Sequence, residues 1–335
     1  MTTKSNPPVT KSPIANPPVT NPNVTRSRLV LEIASEMAGG AVADAVPDYI
    51  LPKVTLRHAR TGRTATFSAV SSAEGIFAVA AREADLAIIN PAAVLAVALR
   101  GRGIFKEPMP VRAVAVIPSG DQFVFAVRPE TGLSRFEDIA ARKPKLRITM
   151  RAAPDHSLHA MFDDVAAAAG FSRDDIAAWG GEVAKRGSVP WTHTETFKSL
   201  IRHDVDAIFD EAAYVWVPEA LAAGITILPL AEATVVKLEA MGYRRAVLAK
   251  SLYPQLPHDV LTIDFSGWTV FVHAEADDAL VTRICEGLVA RKARIPWEEP
   301  GDLPVERMAR EAPDTPQCVP LHPAAERFWK SRGYL

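Results

Sequence analysis

From Leu29 onward, short apolar runs alternate with stretches whose apolar residues recur at helical spacing. The runs LVLEIA (29–34), TATFSAV (64–70) and LAIIN (86–90) have the length of buried strands and read as such. Between them, Ile76, Phe77, Val79 and Ala80 mark a helix. Pro91 suits the first residue of the next helix, where a missing N–H costs nothing. VRAVAVI (111–117) and QFVFAVR (122–128) predict a strand pair.

A second series follows. FEDIA (136–140) reads as a short helix and KLRITMR (145–151) as a strand. Asp155 is placed to cap a helix whose apolar face is Leu158, Met161, Phe162 and Val165. AIFDEA (207–212) and ITILPL (225–230) are strands around another helix. After about residue 232 the pattern returns to strands, in VLTIDF (260–265) and GWTVFVH (267–273). A helix from Asp277 and an amphipathic one through Ala324, Ala325, Phe328 and Trp329 close the chain. Residues 47–63, with Pro47 and Pro52, carry no decisive period.

This alternation predicts an α/β fold with doubly wound sheets. The second series reads as an insertion into the first, with crossings near 124–130 and 228–234. The expected organisation is a Pro/Thr/Asn-rich tail (1–27), a discontinuous lobe 1 (28–126 and 233–335) and a continuous lobe 2 (127–232). Two lobes joined by two crossover segments can hinge onto a ligand. The ligand would sit where strand C-termini and helix N-termini face the crevice.

Composition narrows the function. The 335 residues hold 38 Lys and Arg against 39 Asp and Glu, so no charge excess draws nucleic acid or an anionic membrane. No apolar run reaches the roughly 20 residues that span a bilayer, so no direct membrane insertion is expected. Residues 1–27 repeat NPPVT at 6–10 and 16–20, cannot bury a core, and contain no apolar export region. As written, the chain is therefore expected in the cytoplasm. Cys285 lies in an apolar helical pattern and reads as a small buried hydrophobe. A single Cys285–Cys318 bridge is the open alternative.

Candidate ligand contacts follow the ends of the expected strands. They are Ser35, Glu36 and Gly39 after the first, with Gly39-Gly40 allowing close backbone approach. Ser71 and Ser72 come next, either binding or capping a helix. Asn90 could hold a carboxylate or amide, or cap the helix after it; Ser119 and Asp121 could bind or only turn the chain. In lobe 2, Arg151 could clasp a carboxylate in two hydrogen bonds or pair with Asp155. His156 stands beside it. Asp210, Glu211 and Tyr214 would suit an amine or cation, or start a helix. His156 and His159 with Asp155 and Asp163 lack a third fixed ligand for zinc, so no metal site is expected. No nucleophile elbow, phosphate loop, zincin helix or dinucleotide fingerprint is present, so neither a catalytic residue nor a cofactor is expected.

The phrases READLAIINPAAVLAVALRGRGIF (82–105), GLSRFEDIA (132–140) and KLRITMR (145–151) resemble type II periplasmic binding proteins. VPLHPAAERFWKSRGY (319–334) and SLYPQLPHDVLTID (251–264) resemble the TAXI family of solute-binding subunits of tripartite ATP-independent periplasmic (TRAP) transporters. The resemblance runs from about Leu29 to Tyr334. It implies a two-lobed type II fold, a small polar organic ligand such as a carboxylate or amino acid, membrane transporter subunits as partners, and a periplasmic location. Where that family has Gly-Gly-Ser and a later Asn, this chain has Val70, Ser71, Ser72 and Gly75. Only the serine matches, so the family's ligand does not carry over. A cytosolic sensor or scavenger on the same fold is the alternative, and an enzyme built on it the third.

Overall fold

The computed structural model describes residues 22–37, 53–69, 72–153 and 156–335. Its first element, α1 (Pro22–Met37), replaces the expected strand 29–34. An apolar run of six residues fits either element. Packing decides: Leu29, Val30, Ile33 and Ala34 are buried at helical spacing. The expected tail also ends earlier, because Thr25, Arg26 and Ser27 are already buried in this helix.

The remaining elements of the first half are β1 (Lys53–Arg57), β2 (Thr64–Ser68), α2 (Ala73–Ala80), β3 (Ala87–Ile89), α3 (Ala92–Leu99), β4 (Val111–Ile117) and β5 (Val124–Val127). Then come α4 (Asp138–Arg142), β6 (Arg147–Arg151), α5 (Ser157–Ala169), α6 (Arg173–Ala178), β7 (Glu182–Gly187), α7 (Glu195–Ile201), β8 (Ala207–Asp210), α8 (Ala213–Ala222) and β9 (Thr226–Ile227). The chain closes with α9 (Glu232–Met241), β10 (Arg245–Leu248), β11 (Val260–Ile263), β12 (Trp268–His273), α10 (Asp278–Arg291) and α11 (Pro323–Ser331). Residues 53–57, which show no period in sequence, pair as β1 with β2. The return to strands after 232 is delayed by α9. Pro91 sits one position before the expected one, as the N-cap of α3, after a cis Asn90–Pro91 peptide.

Two mixed sheets organise the chain. In the first, β12 lies between β3 and β4 and is antiparallel to both. β2 joins its edge through Ser68 N–H donating to Leu86 O at 2.9 Å. The second runs β7-β6-β8-β5-β9, with β6 parallel to both β7 and β8, and β5 antiparallel to β8 and β9. The antiparallel strands β5 and β12 are the ones that bring the chain from one sheet to the other. A strand entering directly, without a crossover helix, arrives reversed.

The expected pairing of 111–117 with 122–128 is therefore overturned. β4 pairs with β12 and β5 with β8, because residues 118–123 carry the chain between the sheets. Residues 124–126, expected to end the first lobe's segment, belong with Val127 to the second sheet instead. β11 pairs with β10 in a two-stranded sheet and meets residues flanking the second sheet, with Leu230 N–H donating to Leu261 O at 2.9 Å and Phe123 N–H to Ile263 O at 3.0 Å.

Helices cover both sheets. α5 buries Leu158, Met161, Phe162, Val165 and Ala166, a stripe at i, i+3, i+4, i+7 and i+8, and stops at Gly170 in the left-handed region. α1 lies on α10 where Gly287 has no side chain; a Cβ there would sit 3.5 Å from the Ile33 backbone. The Pro-Leu-His-Pro segment caps the first sheet. Ala113 N–H donates to Pro320 O, His322 N–H to Ala113 O, and the His322 ring accepts from Ala324 N–H to start α11. Trp329, fully buried, donates its indole N–H to Val114 O at 2.7 Å. One apolar cluster continues through both lobes, from Ile89 and Phe105 to Phe125, Phe162 and Phe209. Both cysteines are free, and Cys285 is buried.

Candidate functional site

Where the ends of β3, β6 and β8 meet the starts of α2, α5 and α8, charged and polar side chains converge. Arg151, the last residue of β6, is 13% exposed. Its Nε lies 2.9 Å from each oxygen of Asp210, at the end of β8, and its Nη2 bonds Glu211. The expected Asp155 partner lies outside the described residues. The guanidinium is thus committed within the protein. Burial works against its charge, but the two carboxylates hold it above its ordinary value.

Asp121 arrives from the segment linking β4 to β5. Its Oδ2 accepts from Ala212 N–H at 2.6 Å, and Oδ1 from Ala213 N–H at 3.0 Å and Gln122 N–H at 2.7 Å. It supplies from a distance the cap that α8 lacks locally, where Ala212 stands at φ +60°. Burial, and then the neighbouring Glu211 charge, push the Asp121 carboxyl up. Burial also raises Asp210, to about 7, against the pull of Arg151. Glu211 feels the same burial, yet Arg151 holds it below its usual range.

Facing these groups, His156 caps α5 by accepting from Leu158 N–H through Nδ1, and its ring stacks at 6.4 Å on Phe265. Burial and the Arg151 charge lower its pKa to about 3, so the imidazole is neutral. His159 Nε2 contacts the Arg151 and Ala153 carbonyls at 2.9 and 3.0 Å, which fixes the proton on that nitrogen. Burial lowers this group to about 4. Among the described residues, no group of three His, Cys, Asp or Glu is placed to hold a metal.

The lobes touch across the crevice. Ser72 forms a backbone bridge with His156, and Ser157 Oγ donates to Asn90 O. Asn90 Nδ2 donates to Phe265 O and Gly267 O, both at 3.1 Å. Ser72 is the N-cap of α2 but makes no capping bond, and its Oγ is buried without a partner. Ser119 donates to Glu298 at 2.9 Å. Tyr214, on α8, is 41% exposed beside Glu211, Asp121 and Glu298.

Of the expected contacts, Ser72, Asn90, Ser119, Arg151, His156, Asp210, Glu211 and Tyr214 gather here. Gly39 and Ser71 lie outside the described residues. Ser35 and Glu36 do not gather, because the expected strand is a helix. The start of α1 reaches the crevice, where Arg26 acts on His156, but Ser35 lies about 14 Å further along the helix. Glu36 pairs with Arg291 at 2.7 Å, next to Glu32, which meets Arg28 and Arg294. These residues tie α1 to α10. Three crevice groups carry no signal in sequence: Arg26, Phe265 and Glu298 come from segments far apart in the chain. Asp121 is visible in sequence as a residue that binds or only turns the chain, but not as the cap of α8.

A separate concavity of about 1020 Å³ lies in the first lobe, between β1, β2 and the start of α10. Arg57, His58, Arg82 and Asp277 line it, and none of the crevice residues does. The crevice is the stronger site, because it concentrates buried polar groups from both lobes at strand and helix ends.

The sequence profile of the NMT1-like family matches residues 51–333. The chain belongs to this family. A comparison with curated protein sequences gives no match. Among solved structures, this NMT1-like chain is similar to a periplasmic transporter, with 15% identity over 95% of this chain and 91% of that one and a TM-score of 0.38. It is also similar to the alkanesulfonate-binding protein SsuA from Xanthomonas axonopodis pv. citri bound to MOPS (15% identity, 67% and 60% of the two chains, TM-score 0.30). A third likeness is to a TctC solute binding protein from Polaromonas (16% identity, 61% and 62%, TM-score 0.31).

Proposed function

We propose that this NMT1-like protein is a receptor that captures a small polar organic solute reversibly between its two lobes and presents it to a membrane transporter. The observation that carries this reading is the crevice itself. Arg151, Asp210, Glu211, His156, Ser72, Asn90 and Ser119 come from both sheets, and the lobes touch through Ser72–His156 and Ser157–Asn90. On this reading the lobes divide at the strands that enter each sheet reversed, giving crossings at 118–123 and 264–267. The C-terminal segment 319–334 supports assignment of the transporter to the TRAP type and of the chain to the TAXI branch, with the periplasm as its location. No described helix is long and apolar enough to cross a membrane. The crevice residues sort into holding roles: a neutral imidazole, backbone-bound carboxylates and a guanidinium already paired.

A thermal-shift screen of the full chain against amino acids, dicarboxylates, keto acids, amines and aromatic acids tests this. A solute that binds only the folded state adds about 2.7 kcal/mol at a hundred times its Kd. A hit recovered chemically unchanged supports the receptor. Turnover of the hit, or no shift with any class, refutes it.

A further inference from the structure

Carboxyls outnumber guanidiniums at the crevice, where Arg151 is already paired and Arg26 reaches in from α1. Four carboxyl groups, Asp121, Asp210, Glu211 and Glu298, act on one another across it. Arg151 is held by two of them, Asp210 and Glu211. Asp121 is held by backbone amides. Glu298 accepts from the Ser119 hydroxyl at 2.9 Å. The charges of Glu211, Glu299 and Asp314 act on it, and Asp314 is itself taken by Arg307 at 2.8 Å. Burial therefore pushes Glu298 up to about 7. Next to this carboxyl, Tyr214 is 41% exposed. On the opposite wall, Ser72 is 2% exposed and its Oγ has no partner; its backbone bridge to His156 sets it against the same cluster.

Resting on the solute-binding reading, we propose that the captured solute is an organic cation, a protonated amine or amidine, held by Glu298 and Glu211 against the face of Tyr214. A carboxylate solute would add a further negative charge to the cluster and would have to strip Arg151 from both its partners. A cation would take the place of the protons that burial favours on these carboxyls. Tyr214 offers it a ring face, the recurring partner of ammonium and amidinium groups. The Ser72 hydroxyl is left to bond a polar group elsewhere on the solute.

Isothermal titration of the full-length protein tests the proposal with benzamidine, phenethylamine and agmatine, set against benzoate, phenylpropionate and glutarate. The expected result is measurable binding of at least one cation and at least tenfold weaker binding of its anionic counterpart. Glu298→Gln should weaken the cation about tenfold or more, the scale of one charge-assisted bond. Tyr214→Leu, at an exposed position where folding is not at stake, should weaken it several-fold. Anions or neutral solutes binding while no cation does would overturn the cation proposal and leave the receptor intact. A cation whose affinity ignores both substitutions would overturn the assigned site. Binding by none of the solutes here, nor by any in the wider screen, would remove the receptor reading and this proposal with it.

Discussion

Replacing Arg151 with Leu should be among the most damaging single changes in the second lobe. The guanidinium is 13% exposed, Asp210 is fully buried and Glu211 is 16% exposed, so water screens neither pair well. With an effective dielectric constant near 20, a charge pair about 4 Å apart is worth about 4 kcal/mol. Desolvation offsets most of that gain in the wild type, so the net value of the cluster is small. The loss on truncation is not small, because two carboxylates are left buried with no counter-charge. Breaking a buried pair in this way costs roughly 3–5 kcal/mol. In a chain of this size that corresponds to a drop in Tm of roughly 4–7 °C. The stranded carboxyls would have raised pKa values, so their folded state is favoured when protonated. The defect should therefore be smaller at pH 5 than at pH 8. Adding Asp210→Asn and Glu211→Gln to Arg151→Leu should restore much of the loss, since it removes the uncompensated charge. Urea denaturation followed by tryptophan fluorescence, at both pH values, measures each term. A loss below about 1 kcal/mol, or one that does not change with pH, would refute the reasoning.

Two further predictions concern the frame of the crevice, and a third concerns a tight turn away from it. Asp121→Asn keeps one acceptor oxygen but cannot serve three amide donors; we expect a loss of about 1–2 kcal/mol and faster hydrogen exchange at Ala212 and Ala213, and unchanged protection there would contradict the remote cap. Glu298 has a raised folded pKa of about 7, so its contribution to stability is fully present below the ordinary value of 4.5 and is lost as pH rises through 7. Glu298→Gln should flatten that part of the stability profile and stabilise the ligand-free protein at pH 8 by roughly 1–3 kcal/mol; an unchanged slope would show that the carboxyl titrates normally. Gly103 stands at φ +58° with a Cβ position 2.5 Å from Asp164, whose carboxylate is fixed by Tyr243 at 2.6 Å, whereas Gly62 at φ +70° faces open space. Gly103→Ala should therefore cost at least about 1 kcal/mol more than Gly62→Ala by chemical denaturation, and equal losses would show that the Asp164 contact yields.

Most elements were legible because their period was. The stripe Leu158, Met161, Phe162 and Val165 can be buried only as a helix, and the terminal helix through Phe328 and Trp329 is equally clear. The ends of these elements also located eight crevice residues, since strand C-termini and helix N-termini carry free backbone groups and collect polar side chains. The run 29–34 was not legible. Six apolar residues fit a strand or a helix alike, and only packing against α10, which buries Leu29, Val30, Ile33 and Ala34, selects the helix. That choice moved Ser35 and Glu36 out of the site. Pairing was hidden for a related reason. β4 and β5 are neighbours in sequence, but each finds its hydrogen-bond partner in a different sheet, and nothing local distinguishes a hairpin turn from a crossing. Electrostatics lay furthest from view. The sequence placed Arg151, Asp210 and Glu211 as separate candidates for a ligand, and by itself it determines the strand ends on which they stand. Only the tertiary structure decides that they bind one another, because charge pairing depends on distance and burial, and 59 residues separate Arg151 from Asp210 along the chain.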